Sequence, residues 1–197
     1  MKHRTELVLR CGAHALAALP AALLVHGAWT DQLGADPVAA LVHRTGWWAL
    51  TLLLVCLAMT PLRRLSGSAV PIRFRRLLGL WSFAYASAHL ACFAVFDLGL
   101  DLGLLGAEIG KRPYILVGFS AWLLLIPLAL TSTRGMMRRL GRRWVQLHRL
   151  VYLVAALGVL HFWWQVKADI AQPALYAAIL AVLLAARLRV PRAADKT

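Results

Sequence analysis

Residues 144–164 read WVQLHRLVYLVAALGVLHFWW. Apart from Arg149 near its start, the stretch is apolar over a length that crosses a bilayer as a helix. It carries two histidines, His148 and His161, thirteen residues apart. An imidazole in hydrocarbon is costly unless it is bonded to another polar group or an ion. The stretch therefore specifies a membrane-crossing helix, and each ring on it requires a partner from elsewhere in the chain.

The rest of the composition agrees. Of the 197 residues, 61% are hydrophobic and 15% are charged, with mean hydropathy +0.68; a soluble domain is about one quarter charged. The net charge of +14 does not point to nucleic acid, because the basic residues collect between apolar runs instead of covering one helical face or a zinc module. Such clustering reports membrane topology. Cys11, Cys56 and Cys92 lie in or beside apolar segments with no CxxC spacing, and read as small buried hydrophobes.

Six segments approach the roughly 20 apolar residues that a span needs: 11–29, 46–62, 77–98, 113–131, 147–166 and 172–188. The first imitates a signal peptide but has no clear small-residue cleavage site, and reads as a retained span. Pro61 marks an exit from the second span, while Pro20 and Pro127 kink the first and fourth. Of the 22 Lys and Arg residues, all but Arg44, Lys111, Arg112 and Lys167 fall on one side of this arrangement. Lys/Arg-rich loops stay in the cytoplasm. The expected fold is an all-α, polytopic six-helix transmembrane bundle, one domain over residues 1–197, with both termini cytoplasmic. The outer loops, near Asp31–Arg44 and Leu98–Arg112, are too short for a catalytic domain.

The odd-numbered spans run the same way, so their histidines can be compared by depth. His161 lies twelve residues beyond Arg149, about 18 Å, and His89 thirteen beyond Arg76, about 20 Å. The two reach one level and are placed to grip haem iron between parallel helices. His148 is about 20 Å from His161 along the helix axis and cannot share that iron. Its depth matches His14 on the first span, which allows a second, inner haem, although thirteen residues leave His148 and His161 about 140° apart around an ideal helix. Packing through a hydrogen bond or a proton-relay role are the other readings of each histidine. Structural zinc fits poorly, since it takes four close ligands and no Cys or carboxylate shares their level. His3, His26 and His43 read as interfacial or solvated.

Small residues surround both rings: Ala84, Ala86, Ser87, Ala88 and Ala91 near His89, and Ala155, Ala156 and Gly158 near His161. Trp81, Phe83, Tyr85 and Phe93 are candidates to line a flat cofactor, and Phe162, Trp163 and Trp164 to form an interfacial belt. The inner basic loops orient the chain and meet anionic membrane lipid. Arg73, Arg75 and Arg76 are also placed to hold a phosphate-bearing cofactor such as FMN. No GxGxxG or GxxxxGK pattern points to a nucleotide.

Several segments carry a resemblance: LGADPV (33–38), HRTGWWAL (43–50), MTP (59–61), IRFRRLLGLWSFAYASAHL (72–90), RPYILVG (112–118), LTSTRGMMRRLGRRWVQLHRLVYLVA (130–155) and LHFWWQVK (160–167). Over nearly its whole length the sequence resembles the MsrQ (YedZ) family of haem-binding membrane subunits, within the ferric reductase-like transmembrane superfamily. The resemblance implies a bacterial inner-membrane electron-transfer subunit that carries haem b, one or two per chain, and FMN. Its electrons would come from the quinol pool or a cytosolic flavin reductase. They would pass to the periplasmic molybdopterin subunit MsrP, which reduces methionine sulfoxide in oxidised proteins. The family's haem-linked histidines fall on His89, His148 and His161, with His14 at an early histidine position. No terminal reductase active site is expected in the chain itself. The two-haem reductases of the superfamily place two histidines on each of two helices; here the third span offers His89 alone, with Arg75 and Arg76 where an inner histidine would stand. A stand-alone ferric or quinone oxidoreductase, and a non-redox transporter or scaffold, are the alternatives.

Overall fold

The computed structural model describes residues 2–101 and 103–188, without the side chains of Lys2, His3, Leu105 and Leu188; Arg189, Arg192 and Lys196 of the basic tail lie outside the described residues. The described residues form helices and no strand. These are α1 (Lys2–Trp29), α2 (Pro37–Ser66), α3 (Val70–Cys92, continuing as a π-turn over Phe93–Asp97), α4 (Gly103–Lys111), α5 (Tyr114–Leu130), α6 (Arg134–Leu140), α7 (Arg142–His148), α8 (Leu150–Gln165) and α9 (Ala171–Leu188).

Four helical stretches, Arg4–Trp29, Pro37–Ser66, Val70–Asp97 and Arg142–Gln165, are long and apolar enough to cross a membrane. A fifth is reached if α5 and α6, bent by 92°, count as one span, and α9 is a shorter apolar helix. Leu16, Leu23, Val25, Leu123, Leu160 and Val182 point outward and are exposed. Water would penalise such a surface and lipid does not, so the chain is a multi-pass membrane protein.

The core is built around α2. Its Leu50, Leu53, Leu54 and Leu57 pack against Ala121 and Leu125 of α5, Val154, Ala155 and Val159 of α8, and Tyr176 and Leu180 of α9. Along the other side of α2 lies α3, tied by the Ser82 hydroxyl donating to the Ala49 carbonyl at 2.8 Å. The Cys56 thiol likewise donates to the Arg75 carbonyl at 3.2 Å. Cys56 is buried as expected, but Cys11 is exposed, because α1 meets the bundle along one narrow face. That face is pinned where Pro20 weakens α1: the Tyr85 hydroxyl donates to the Ala17 carbonyl (2.8 Å) and accepts from the Ala21 amide (2.9 Å). Those two backbone groups would otherwise pair with each other.

The second helix departs from the sequence expectation at both ends. It begins at Pro37, in the first turn where a missing N–H costs nothing, with the Asp36 carboxylate accepting the Ala39 amide at 2.9 Å. The outer connection expected over Asp31–Arg44 shrinks accordingly. Pro61 does not end the helix, which runs on to Ser66 and stops at Gly67 with φ 63°. A proline inside a helix leaves the carbonyl four residues earlier without its donor, here Leu57. The Arg187 guanidinium supplies one through Nη2 at 2.5 Å, while Nη1 donates to the Tyr152 hydroxyl. Arg187, counted by sequence only as a topology charge, thus replaces the hydrogen bond that Pro61 removes.

Replacing Arg187 by methionine is expected to cost about 1–3 kcal/mol, the range for losing a charge-assisted bond and stranding its acceptor. Thermal unfolding in detergent measures it. Because Pro61→Ala returns an N–H to the Leu57 carbonyl, the cost should shrink in the double variant; strictly additive effects would contradict the account.

Candidate functional site: two histidines across a cavity

A cavity of about 1280 Å³ opens between α2, α3, α5 and α8, somewhat larger than the usual small-molecule and cofactor site of about 300–1,000 Å³. His89 and His161 both line it, with ring centroids 6.1 Å apart and planes at 77°. The His89 Nδ1 lies 2.9 Å from the Val42 carbonyl on α2, and the His161 Nδ1 lies 2.7 Å from the Tyr114 carbonyl at the start of α5. A carbonyl only accepts, so each Nδ1 carries the proton and each neutral ring keeps a bare Nε2. That is how protein hydrogen bonds prepare a histidine for a metal.

The other histidines are bonded differently. The His14 Nδ1 accepts the Trp81 indole N–H at 3.0 Å, which puts the ring proton on Nε2. The His43 Nδ1 is taken by the Gln165 amide at 3.0 Å. His148 stacks on Trp144, centroids 4.0 Å apart, with Nε2 at 3.0 Å from the Thr131 hydroxyl. Thr131 gives its one proton to the Pro127 carbonyl at 2.6 Å, so it accepts from His148. His148 and His14 share a depth by residue count but are not brought together. Depth says nothing about direction around a helix, and the indole of Trp81 takes the His14 ring on α3. The helix carrying His148 is also interrupted at Arg149, where short-range bonds from Arg149 to Gln146 and from Tyr152 to Arg149 tighten the turn. The 140° offset of an ideal helix therefore does not carry across.

Two glycines complete the support of the paired rings. A Cβ on Gly46 would lie 3.0 Å from the His89 Nδ1, and one on Gly118 would lie 2.7 Å from both Nδ1 and Cε1 of His161. Each glycine sits one turn after the carbonyl that holds its histidine, and each histidine follows that carbonyl by 47 residues. Residues 42–89 and 114–161 are thus two copies of one device, in register after a shift of 72 (161 minus 89). In the same register Arg76 takes the position that corresponds to His148, so the device is duplicated for one pair of histidines only. Sequence reading missed Gly46 and Gly118; their equal spacing from His89 and His161 was the available signal.

The donor set fits an iron tetrapyrrole. Two imidazole–metal bonds of roughly 2 Å, plus about 1 Å from each nitrogen to its ring centre, put the centroids about 6 Å apart, as found. Among the described residues no group of three or more His, Cys, Asp or Glu converges, which a structural zinc site would need. Of the residues expected near the rings, Ala86, Phe93 and Gly158 line the cavity. Trp81 and Tyr85 turn to α1 instead, and Phe162 lines the cavity beside Tyr176 while Trp163 and Trp164 stay exposed. Arg73 pairs with Glu6 at 3.2 Å, and Arg76 is exposed.

An all-helical membrane bundle with two metal-ready histidines facing across a cofactor-sized cavity defines the class of the protein. Residues 45–159 match the family described as ferric reductase like transmembrane component. The chain is 59% identical to a protein of Xanthomonas axonopodis pv. citri over 181 residues, 89% of this chain and 83% of that one. It is 55% identical to one from Xanthomonas campestris pv. campestris over 193 residues, 95% and 88% of the two chains. With one from Herminiimonas arsenicoxydans it shares 51% over 175 residues, 87% and 80%. Each relative is named as the protein-methionine-sulfoxide reductase heme-binding subunit MsrQ. The chain belongs to the MsrQ family of ferric reductase-like transmembrane proteins.

Proposed function

We propose that this chain is the haem b subunit of a methionine sulfoxide reductase system in the bacterial inner membrane. It would pass electrons from the quinol pool, or from a cytosolic flavin reductase, to the periplasmic molybdopterin subunit MsrP. The observation that carries this is the pair His89 and His161, each with Nδ1–H given to a backbone carbonyl and Nε2 free, across one cavity within a membrane bundle. When bound, haem supplies one-electron chemistry through iron that alternates between ferric and ferrous. The chain's part would be to hold the haem with the imidazoles of His89 and His161, to fix their tautomers through the Val42 and Tyr114 carbonyls, and to keep bulk water out with the leucine-lined wall of α2 and α5. Carrying an electron outward across an inside-negative potential is favourable by about 2.3 kcal/mol per 100 mV, which adds to the donor-to-acceptor potential difference.

The same proposal takes α9 as a sixth span and residues 1–197 as one domain, with both termini cytoplasmic on the positive-inside distribution. His148 is the inner-depth candidate for a second haem, with His14 beside α3. Either would first have to exchange its present hydrogen bond or proton. The Arg73, Arg75 and Arg76 turn at the start of α3 is the place for an FMN phosphate.

Reduced-minus-oxidised spectra with haem-to-protein stoichiometry test the proposal on protein expressed with ample haem. At least one low-spin b-type haem per chain is expected, reducible by a quinol and reoxidised by added MsrP. Colourless protein would overturn it in favour of a transporter or scaffold. Red protein that never reduces MsrP would leave a stand-alone oxidoreductase.

A further inference from the structure

The cavity differs from end to end. Its floor is hydrocarbon, with Leu53, Leu125 and Val154, whereas its mouth carries Asp36, Arg44, Asp97, Arg112 and Asp169. Two of those acids are committed to helix starts: Asp36 accepts the Ala39 amide and Asp169 the Ala171 amide, both at 2.9 Å. Arg112 meets Glu108 through Nε at 3.4 Å, which leaves its two terminal nitrogens available. Arg44 has no hydrogen-bond or ion-pair partner among the described residues. It lies on the turn of α2 between Val42, whose carbonyl holds His89, and Gly46, which backs the same ring. The opposing charges on the rim are those two capping carboxylates and Asp97, which lies on the π-turn after α3 without a hydrogen-bond or ion-pair partner among the described residues.

We propose that Arg44 and Arg112 receive the two carboxylate side chains of the haem, so that its acidic edge lies at the mouth of the cavity; this rests on the haem assignment above. A b-type haem is an apolar disc with two acids on one edge. On the leucine floor those acids would be unpaired charges in hydrocarbon, which is prohibitive. At the mouth each meets a guanidinium, whose planar fork pairs with both oxygens of a carboxylate. Asp97 repels an acid that lacks such a partner, so the arginines decide the orientation. Two of the four basic residues on the sparsely charged side of the bundle stand on this rim. Charge pairing at the mouth explains their place, where the topology rule alone favours none.

The test uses the full chain in detergent and follows haem leaving for apomyoglobin. Haem b and its dimethyl ester, which lacks both charges, are compared in wild type, Arg44→Ala, Arg112→Ala and the two lysine variants. With haem b, each alanine is expected to speed loss by about three- to fivefold, the scale of a partly solvated ion pair, with partial recovery by lysine. The ester should leave wild type faster than haem b does, and the alanine variants should no longer differ from wild type when it is bound. Loss rates unchanged by either alanine, or alanine effects that persist with the ester, would overturn the pairing while leaving the haem assignment intact. A wild-type protein that takes up no haem would remove both. The ester comparison in wild type needs no variant, so a misfolded variant does not block the test.

Discussion

Alanine at position 161 should strip the cavity of its haem, and alanine at position 89 should do the same. Each change removes one of the two bare Nε2 atoms carried by the rings that line the cavity. Losing a single hydrogen-bonding supporter of a metal ligand costs about 10- to 100-fold in affinity, and losing the ligand itself should exceed that. The measurement is haem stoichiometry with the reduced-minus-oxidised spectrum. His148→Ala is the contrast: its ring lies against Trp144 and Thr131 and does not line the cavity, so the signal from the cavity should survive. Unchanged haem content and spectra in both His89→Ala and His161→Ala would end the paired-ligand assignment.

The second large effect comes from one methyl group. Gly118→Ala would put a Cβ 2.7 Å from the Nδ1 and Cε1 of His161 and 3.1 Å from its Cγ. The ring cannot retreat without breaking its bond to the Tyr114 carbonyl on the same helix. In an ordinary exposed helix glycine to alanine gains about 1 kcal/mol; here the overpacked ring should reverse the sign by about 1–3 kcal/mol, with loss of most of the haem. Gly46→Ala, at 3.0 Å and 3.1 Å from two atoms of His89, should show a milder version. Gly110→Ala meets nothing within 4 Å and should leave haem content untouched. Equal haem content in all three variants would mean that the glycines do not set ring position.

Much of the fold could be read from composition alone, because a run of apolar residues answers to the bilayer before it answers to any neighbour. Counting residues along parallel helices brought His89 and His161 to one level, and their rings are 6.1 Å apart. The same counting matched His14 to His148, which find different neighbours, because depth leaves rotation about the axis free. Pro61 looked like the end of a helix for a local reason. The group that lets the helix continue lies 130 residues away from its acceptor, beyond any local rule. Cys11 was read as buried because its segment is apolar, yet in lipid an apolar segment need not bury anything. The glycines behind the histidines carry no chemistry of their own and stood out only once the two halves were laid over each other.

The bond from Arg187 to the Leu57 carbonyl also bears on how the bundle is completed. Segments leave the ribosome in order, and α2 enters the bilayer with an oxygen that its own backbone cannot satisfy. That vacancy persists through the synthesis of the intervening segments until α9 arrives with the matching cation. Helix α9 therefore works as a keystone, and chains cut short before it would present quality-control proteases with an unfinished polar groove.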